Sequence, residues 1–236
     1  MRALLTGLLW TSLVLGVGAA GRAGVEYHFM PGVEGQTIGI SQFLAVSPVV
    51  GPKDFQVLLS GALIGSDPSA DANTARPYLD KWGVGVLNPA AGRDVGVQGQ
   101  VQVDGRHGGE YLRLEFAAPV RLTYLTFSSV GIYDEFALLA DGQPVDLELM
   151  FPSTKTGTIR DIANSQGNWP GKVDFTKGSQ PLGFATQWDI LVSSSMLGDG
   201  IQLENVGGEV PEPSTLILWT VATVGAAIYW AFRKRR

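Results

Sequence analysis

The sequence predicts an all-β protein, with a single antiparallel β-sandwich or jelly-roll-like domain flanked by an N-terminal signal peptide and a C-terminal transmembrane helix. Short runs such as Tyr111–Phe116 alternate apolar and polar side chains, which is the period of a half-buried strand. No window of about a dozen residues between 24 and 209 shows a helical stripe. The 31 glycines and 13 prolines supply frequent turns without a repeat period.

The strands of this domain are predicted from alternation and from turn residues between them. The predicted strands are Glu26–Met30, Thr37–Phe43, Phe55–Ile64, Val84–Leu87, Val97–Val103, Tyr111–Phe116, Val120–Tyr124, Phe136–Ala140, Val145–Leu149, Phe184–Val192 and Gly200–Val206. A turn is expected at Ala118-Pro119, and a tight hairpin at Asp141-Gly142, where both central residues need positive φ. Long loops are expected over Ser66–Asp80 and Thr154–Lys172. Trp188, in an alternating run, is expected to be buried.

The N-terminus has the three parts of a secretory signal peptide, predicted over residues 1–23. A basic Met1-Arg2 start precedes the largely apolar Ala3–Val17, and small residues follow. Cleavage of a signal peptide requires small residues at positions −3 and −1. Cleavage is therefore possible after Ala19, Ala20 or Ala23. An uncleaved signal anchor is the alternative.

The C-terminal segment 210–236 also has three parts. Within the motif of residues 210–215, Pro211 and Pro213 lack amide donors and keep Val210–Pro213 extended. The apolar run Leu216–Phe232 follows, with 17 residues that would span about 25 Å as a helix, slightly less than a hydrocarbon core of about 30 Å. The four cations at the end predict a cytoplasmic C-terminus; they are Arg233, Lys234, Arg235 and Arg236. A core helix of a soluble domain is the alternative for the apolar run.

This C-terminus resembles the PEP-CTERM sorting signal of bacterial envelope proteins. The resemblance rests on Pro211, Glu212 and Pro213, the single apolar span and the arginine-rich end, in that order. It covers roughly a tenth of the chain. The resemblance implies recognition and processing by an exosortase, a membrane-embedded cysteine protease, in a bacterium that makes exopolysaccharide.

Composition narrows the classes of function for the domain of residues 24–209. The chain contains no cysteine, which excludes disulfides, thiolate catalysis and cysteine-type zinc sites. Six of the 17 cations and one of the 22 acids lie in the two terminal segments, so the domain has 11 cations, 21 acids and a net charge of −10. Such a surface repels nucleic acid, which is therefore not an expected partner.

Candidate site residues are few. Trp169, in a polar loop, is a candidate for sugar stacking, with a packing role that pins the loop as the alternative. Four acidic residues and one asparagine in two loops are candidates for calcium ligands; these residues are Asp67, Asp71, Asn73, Asp134 and Glu135. The alternative is that they are solvated side chains of turns. No other cofactor is expected. The two histidines, His28 and His107, have no metal-ligand spacing around them, and no G-x-S-x-G motif occurs.

These observations predict a non-enzymatic protein of the cell surface or extracellular matrix. It would be exported by the secretion machinery, anchored in the inner membrane with the domain outside the cytoplasm, and then processed by the exosortase. Its domain would be structural or adhesive in an exopolysaccharide or biofilm context. A carbohydrate-binding module, with or without calcium, is the alternative, and a secreted hydrolase with an acidic pair is a third hypothesis.

Overall fold

The computed structural model of the chain describes residues 22–29, 39–40, 44–53, 55–65, 75–88, 102–104, 109–128, 130–154, 157–192 and 200–211. The chain divides into two compact units, Gly24–Glu209 and a second unit of Met1–Ala23 and Val210–Arg236. Several predicted features lie outside the described residues: positions 1–21 of the signal peptide, Glu212, Pro213 and everything after them. The signal peptide and the sorting tail therefore stay predictions.

The described part of the chain is mainly antiparallel β-structure, which confirms the all-β class. Its strands are β1 (Arg22–His28), β2 (Gly39–Ile40), β3 (Leu44–Val46), β4 (Val57–Leu63), β5 (Arg76–Asp80), β6 (Gly83–Leu87), β7 (Val103–Asp104), β8 (Glu110–Ser128), β9 (Ala137–Ala140), β10 (Gln143–Pro144), β11 (Lys172–Asp174), β12 (Ala185–Val192) and β13 (Gly200–Pro211). Every pairing with a described register is antiparallel.

Helical structure is limited to short pieces in the described ranges. They are α1 (Leu147–Met150), α2 (Ile159–Ser165) and a 3₁₀ helix (Phe175–Lys177). None of these helices has the length and apolar character needed to cross a membrane. The apolar run Leu216–Phe232 is outside the described residues.

Strand β8 belongs to two groups of strands. Its residues 110–120 pair with β4 on one side and β12 on the other, and β3, β9 and β10 extend this first strand group. Its residues 121–128 pair with β13 and β11, and this second strand group continues from β13 through β6, β5 and β2, with β1 and β7 also on β13. All thirteen described strands are therefore connected through β8.

The prediction of a turn at Ala118-Pro119 is wrong, because β8 continues through both residues. Pairing with β4 ends at Phe116, and the register with β12 shifts in this region. Pairing with β13 begins at Arg121. Pro119 thus lies where β8 passes between strand groups, a break in the ladder that tolerates a residue without an amide donor.

The hairpin prediction at Asp141-Gly142 is confirmed. Asp141 and Gly142 have φ of 47° and 78°, and they connect β9 to β10. The prediction of a strand over Val145–Leu149 is wrong, because Asp146 caps α1 by accepting a hydrogen bond from the Leu149 amide at 2.7 Å. The capping side chain favours a helical turn over the alternation of only five residues.

The two predicted loops contain regular structure. Arg76–Asp80, at the end of the first, forms β5 between β6 and β2. The second contains α2, whose N-cap Thr158 accepts a hydrogen bond from the Asp161 amide at 3.2 Å. Both elements lie in polar stretches that contain proline or glycine, and this composition led to the loop predictions.

Buried side chains of the two strand groups contact each other. The ring of Tyr27 on β1 tilts against Phe116 on β8, with centroids 5.7 Å apart. A Cβ atom at Gly61 on β4 would lie 2.9 Å from the Val86 side chain on β6, so the two strands approach closely. Trp188 is fully buried, as predicted, and its Nε1 donates to the Val120 carbonyl at 3.0 Å.

Trp188→Phe should destabilise the domain by about 1–3 kcal/mol, because it leaves the buried Val120 carbonyl without this donor. Urea denaturation of the full chain in detergent micelles, followed by far-UV circular dichroism, measures the change. Trp82→Phe is the control, since Trp82 is half-exposed and its loss should cost at most about 0.5 kcal/mol. Equal effects of the two substitutions would contradict this role of Trp188.

Candidate functional site

Trp169 lies on the short segment between α2 and β11, and it is 55 % exposed. Two hydrogen bonds of the Asn168 side chain fix the segment, from Nδ2 to Gln166 Oε1 at 3.0 Å and to the Lys172 carbonyl at 3.3 Å. The indole ring covers Gly171, where a Cβ would lie 3.4 Å from two ring atoms. Trp169 therefore packs on its own segment and still has a large exposed surface.

Trp82 is a second exposed tryptophan, at the tip of the β5–β6 hairpin, with 47 % exposure. Its amide donates to Asp80 Oδ1 at 2.7 Å, and its carbonyl accepts a hydrogen bond from the Ser128 hydroxyl. Lys81 Nζ lies 5.0 Å from the ring centroid. A buried aspartate and the end of β8 thus hold the hairpin tip in place.

Both tryptophans flank the same end of β8. On the β11 side, the Gly171 carbonyl next to Trp169 accepts a hydrogen bond from the Phe127 amide at 2.8 Å. On the other side, Ser128 contacts Trp82. The loop that leaves β8 carries Tyr133, which is 74 % exposed. We call Trp82, Tyr133 and Trp169 the aromatic end of the domain.

Sequence reasoning identified only one member of the aromatic end. Trp82 lies in a two-residue turn between Asp80 and Gly83. Because side chains at the tip of a hairpin are exposed, recognition of this turn would have predicted that Trp82 is exposed. The prediction of a loop over residues 66–80 hid the hairpin. Trp82 and Trp169 flank the same end of β8 because of contacts between residues far apart in the chain, which no local sequence pattern indicates.

The structure describes two of the calcium candidates, Asp134 and Glu135. The Asp134 carboxylate is buried and accepts a hydrogen bond from the Gly131 amide, and its backbone carbonyl accepts one from Ile159 at 2.9 Å. Asp134 therefore fixes the loop that carries Tyr133. Within the described ranges, no group of three or more histidine, aspartate or glutamate residues is placed to hold a metal ion.

The remaining calcium candidates, Asp67, Asp71 and Asn73, lie outside the described residues, as do His107 and the terminal cations Arg233, Lys234, Arg235 and Arg236. Of the predicted processing motif, only Pro211 is described, at the end of β13. Calcium binding by Asp67, Asp71 and Asn73 therefore stays a prediction.

A polar cluster that the sequence did not predict joins β1, β8 and β11. His28 Nε2 and Glu26 Oε1 are 2.8 Å apart, and Tyr124 is hydrogen-bonded to Glu26. The Tyr124 ring lies over Gly207 on β13, where a Cβ would be only 2.1 Å from a ring atom. Lys172 Nζ lies 4.4 Å from the centroid of this ring.

The cluster shifts the pKa of both of its hydrogen-bonded acids. Burial raises the pKa of Glu26, but hydrogen bonds from Tyr124 and His28 and the charges of His28 and Lys172 outweigh it, so the pKa falls below the ordinary 4.5. Burial, followed by the hydrogen bond to Glu26, raises the pKa of Tyr124 above the ordinary 10.0. The ionised glutamate and the neutral phenol are therefore the forms that this cluster stabilises.

Comparison with protein-family models, with curated proteins and with solved structures finds no match to this chain.

Acid should destabilise the domain through Glu26. Because its folded pKa lies below 4.5, its contribution is present above pH 4.5 and is lost as the pH falls through the folded value. Glu26→Gln should therefore flatten the fall of the melting temperature between pH 5 and pH 3, in about the window where an ordinary glutamate titrates. Glu148→Gln, at an exposed position of α1, is the control. An unchanged pH slope in Glu26→Gln would contradict this assignment.

Proposed function

We propose that this chain is an exported, non-enzymatic protein of the bacterial cell surface or extracellular matrix, with a structural or adhesive β-domain. The observation that carries this proposal is the C-terminal order of Pro211-Glu212-Pro213, an apolar span and four cations, together with the predicted signal peptide. The proposed partners are the secretion machinery, the membrane, an exosortase and exopolysaccharide. The net charge of −10 on residues 24–209 makes nucleic acid an unfavourable partner.

We propose that the domain is a β-sandwich. The support comes from contacts between the two strand groups, where Tyr27 packs on Phe116 and β4 approaches β6 at Gly61. A sandwich with an interior of packed side chains suits a structural module. Its loops at one end can then carry a binding surface without disturbing the interior.

We propose carbohydrate binding as the second candidate function, and the aromatic end is the observation that favours it. The indole rings of Trp82 and Trp169 are each exposed by about half and offer flat apolar faces for sugar rings. The hydrogen bonds of Asn168 and Ser128 hold the two tryptophan-bearing segments, so little ordering is required on binding. At the cell surface or in the extracellular matrix, exopolysaccharide is the ligand that such a site would meet.

The double substitution Pro211→Ala and Pro213→Ala should stop processing, because the extended strip before the apolar span is lost. In the producing bacterium, a tagged chain should then accumulate at full length in the membrane fraction. Substitution of two exposed prolines away from the tail, Pro144 and Pro181, is the matched control. Normal surface delivery of the Pro211/Pro213 variant would contradict exosortase processing.

The double substitution Trp82→Ala and Trp169→Ala should weaken binding to a polysaccharide array by about tenfold or more, since an aromatic contact contributes about 0.5–1.5 kcal/mol beyond its buried area. Phe184→Ala is the control, because Phe184 is 40 % exposed at the start of β12, outside the aromatic end. Equal losses in both proteins would argue against a specific role of the tryptophans.

A further inference from the structure

A cavity of about 390 Å³ opens beside the segment that carries Trp169. Residues of α1, α2 and the 3₁₀ helix surround it, with Met150 and Phe151 on its apolar side and Ser165, Gln166 and Lys177 on its polar side. Its volume lies within the range of small-molecule sites, about 300–1,000 Å³. Such a mixed lining suits a ligand with both a carbon framework and several polar groups.

The cavity contains one cation whose hydrogen-bond acceptors are neutral. Lys177 Nζ donates to the Gln166 carbonyl at 2.8 Å and to Asn168 Oδ1 at 3.1 Å. An ammonium has three N–H groups, so one donor remains. No carboxylate of the described residues lies within ion-pair distance of Lys177. A ligand carboxylate would supply the charge that this site lacks.

The polar side of the cavity is fixed before any ligand arrives. Gln166 Nε2 donates to the Asp174 carbonyl and Gln166 Oε1 accepts from the Asp174 amide, both at 2.9 Å. The hydroxyls of Ser165 and Ser179 donate to backbone carbonyls at 2.8 Å. Their protons are therefore engaged, and their oxygens are left to accept hydrogen bonds from hydroxyl groups of a ligand.

Asn168 connects this cavity to the aromatic end. Its Oδ1 accepts the bond from Lys177, and the next residue in the chain is the exposed Trp169. Asn168 therefore joins the polar side of the cavity to the segment that bears Trp169.

We propose that the cavity binds the carboxylate of a uronic acid unit, in an acidic polysaccharide that also stacks on Trp169. Lys177 binds the carboxylate, and the oxygens of Ser165 and Ser179 accept from sugar hydroxyls. This inference rests on the proposed carbohydrate binding and adds the class of ligand. The ammonium gives the carboxylate a local attraction on a domain whose net charge, Lys177 included, is −10.

The test compares tetragalacturonate with its fully methyl-esterified form, which has the same sugar rings without the charges. Isothermal titration of the full chain in detergent micelles should show about tenfold tighter binding of the acid, because a hydrogen bond to a charged group is stronger than one to a neutral group. Lys177→Met should remove this preference, and Lys177→Arg should keep it. Lys53→Met, at an exposed lysine outside the cavity, is the matched control.

Each outcome separates the inference from the function on which it rests. Equal binding of the two oligosaccharides by the unmodified protein, or a preference that survives in Lys177→Met, would overturn the uronate site and leave carbohydrate binding intact. Binding of neither oligosaccharide would overturn the uronate site, and the polysaccharide array then tests carbohydrate binding by itself. Far-UV circular dichroism of Lys177→Met and Lys177→Arg checks the fold, and if Lys177→Met does not fold, Lys177→Gln replaces it in the same comparison.

Discussion

Strand β8 pairs with β4 and β12 over residues 110–120 and with β13 and β11 over residues 121–128, so both strand groups share one stretch of backbone. The passage from one group to the other lies between the end of the β4 pairing at Phe116 and the start of the β13 pairing at Arg121. Pro119 suits the passage because the ladder is interrupted there and no amide donor is required. The buried hydrogen bond from Trp188 to the Val120 carbonyl secures the same point from β12. The other strands are built on the sides of β8, directly or through β13, β12 and β4.

The candidate site depends on the same strand. The last residues of β8 hold the Trp169 segment on one side and the Trp82 hairpin on the other, through Phe127 and Ser128. The aromatic end is therefore supported by the core of the domain and not by its loops alone. A rigid support of this kind suits binding to a long polymer, where several weak contacts must be made at fixed spacing. The proposed uronate site next to Trp169 adds a charge contact to this surface.

Local features of the fold could be predicted from the sequence, and features that depend on distant pairing could not. Asp141-Gly142 specified its hairpin because the two positive φ values are a property of those two residues. Pro77, by contrast, indicated a loop, although Arg76–Asp80 is a strand, in which Tyr78 and Leu79 pair with the described residues of β2. The cluster around Tyr124 joins residues from strands far apart in the chain, so no local pattern could reveal it. For Trp169, residue type and a polar neighbourhood left sugar stacking and a packing role open, and the structure shows a ring that packs on Gly171 and is still half-exposed.

Amide hydrogen exchange of the full chain, resolved to the segments 110–118 and 121–128, tests most directly whether β8 unites the domain. Strands that open only together exchange with the same free energy of opening. The structure predicts one common value for the two segments, because both belong to one strand and both contribute fully buried side chains, such as Leu114 and Leu125. Exchange of one segment through an opening that leaves the other protected would show that the two strand groups are independent, and would contradict this account.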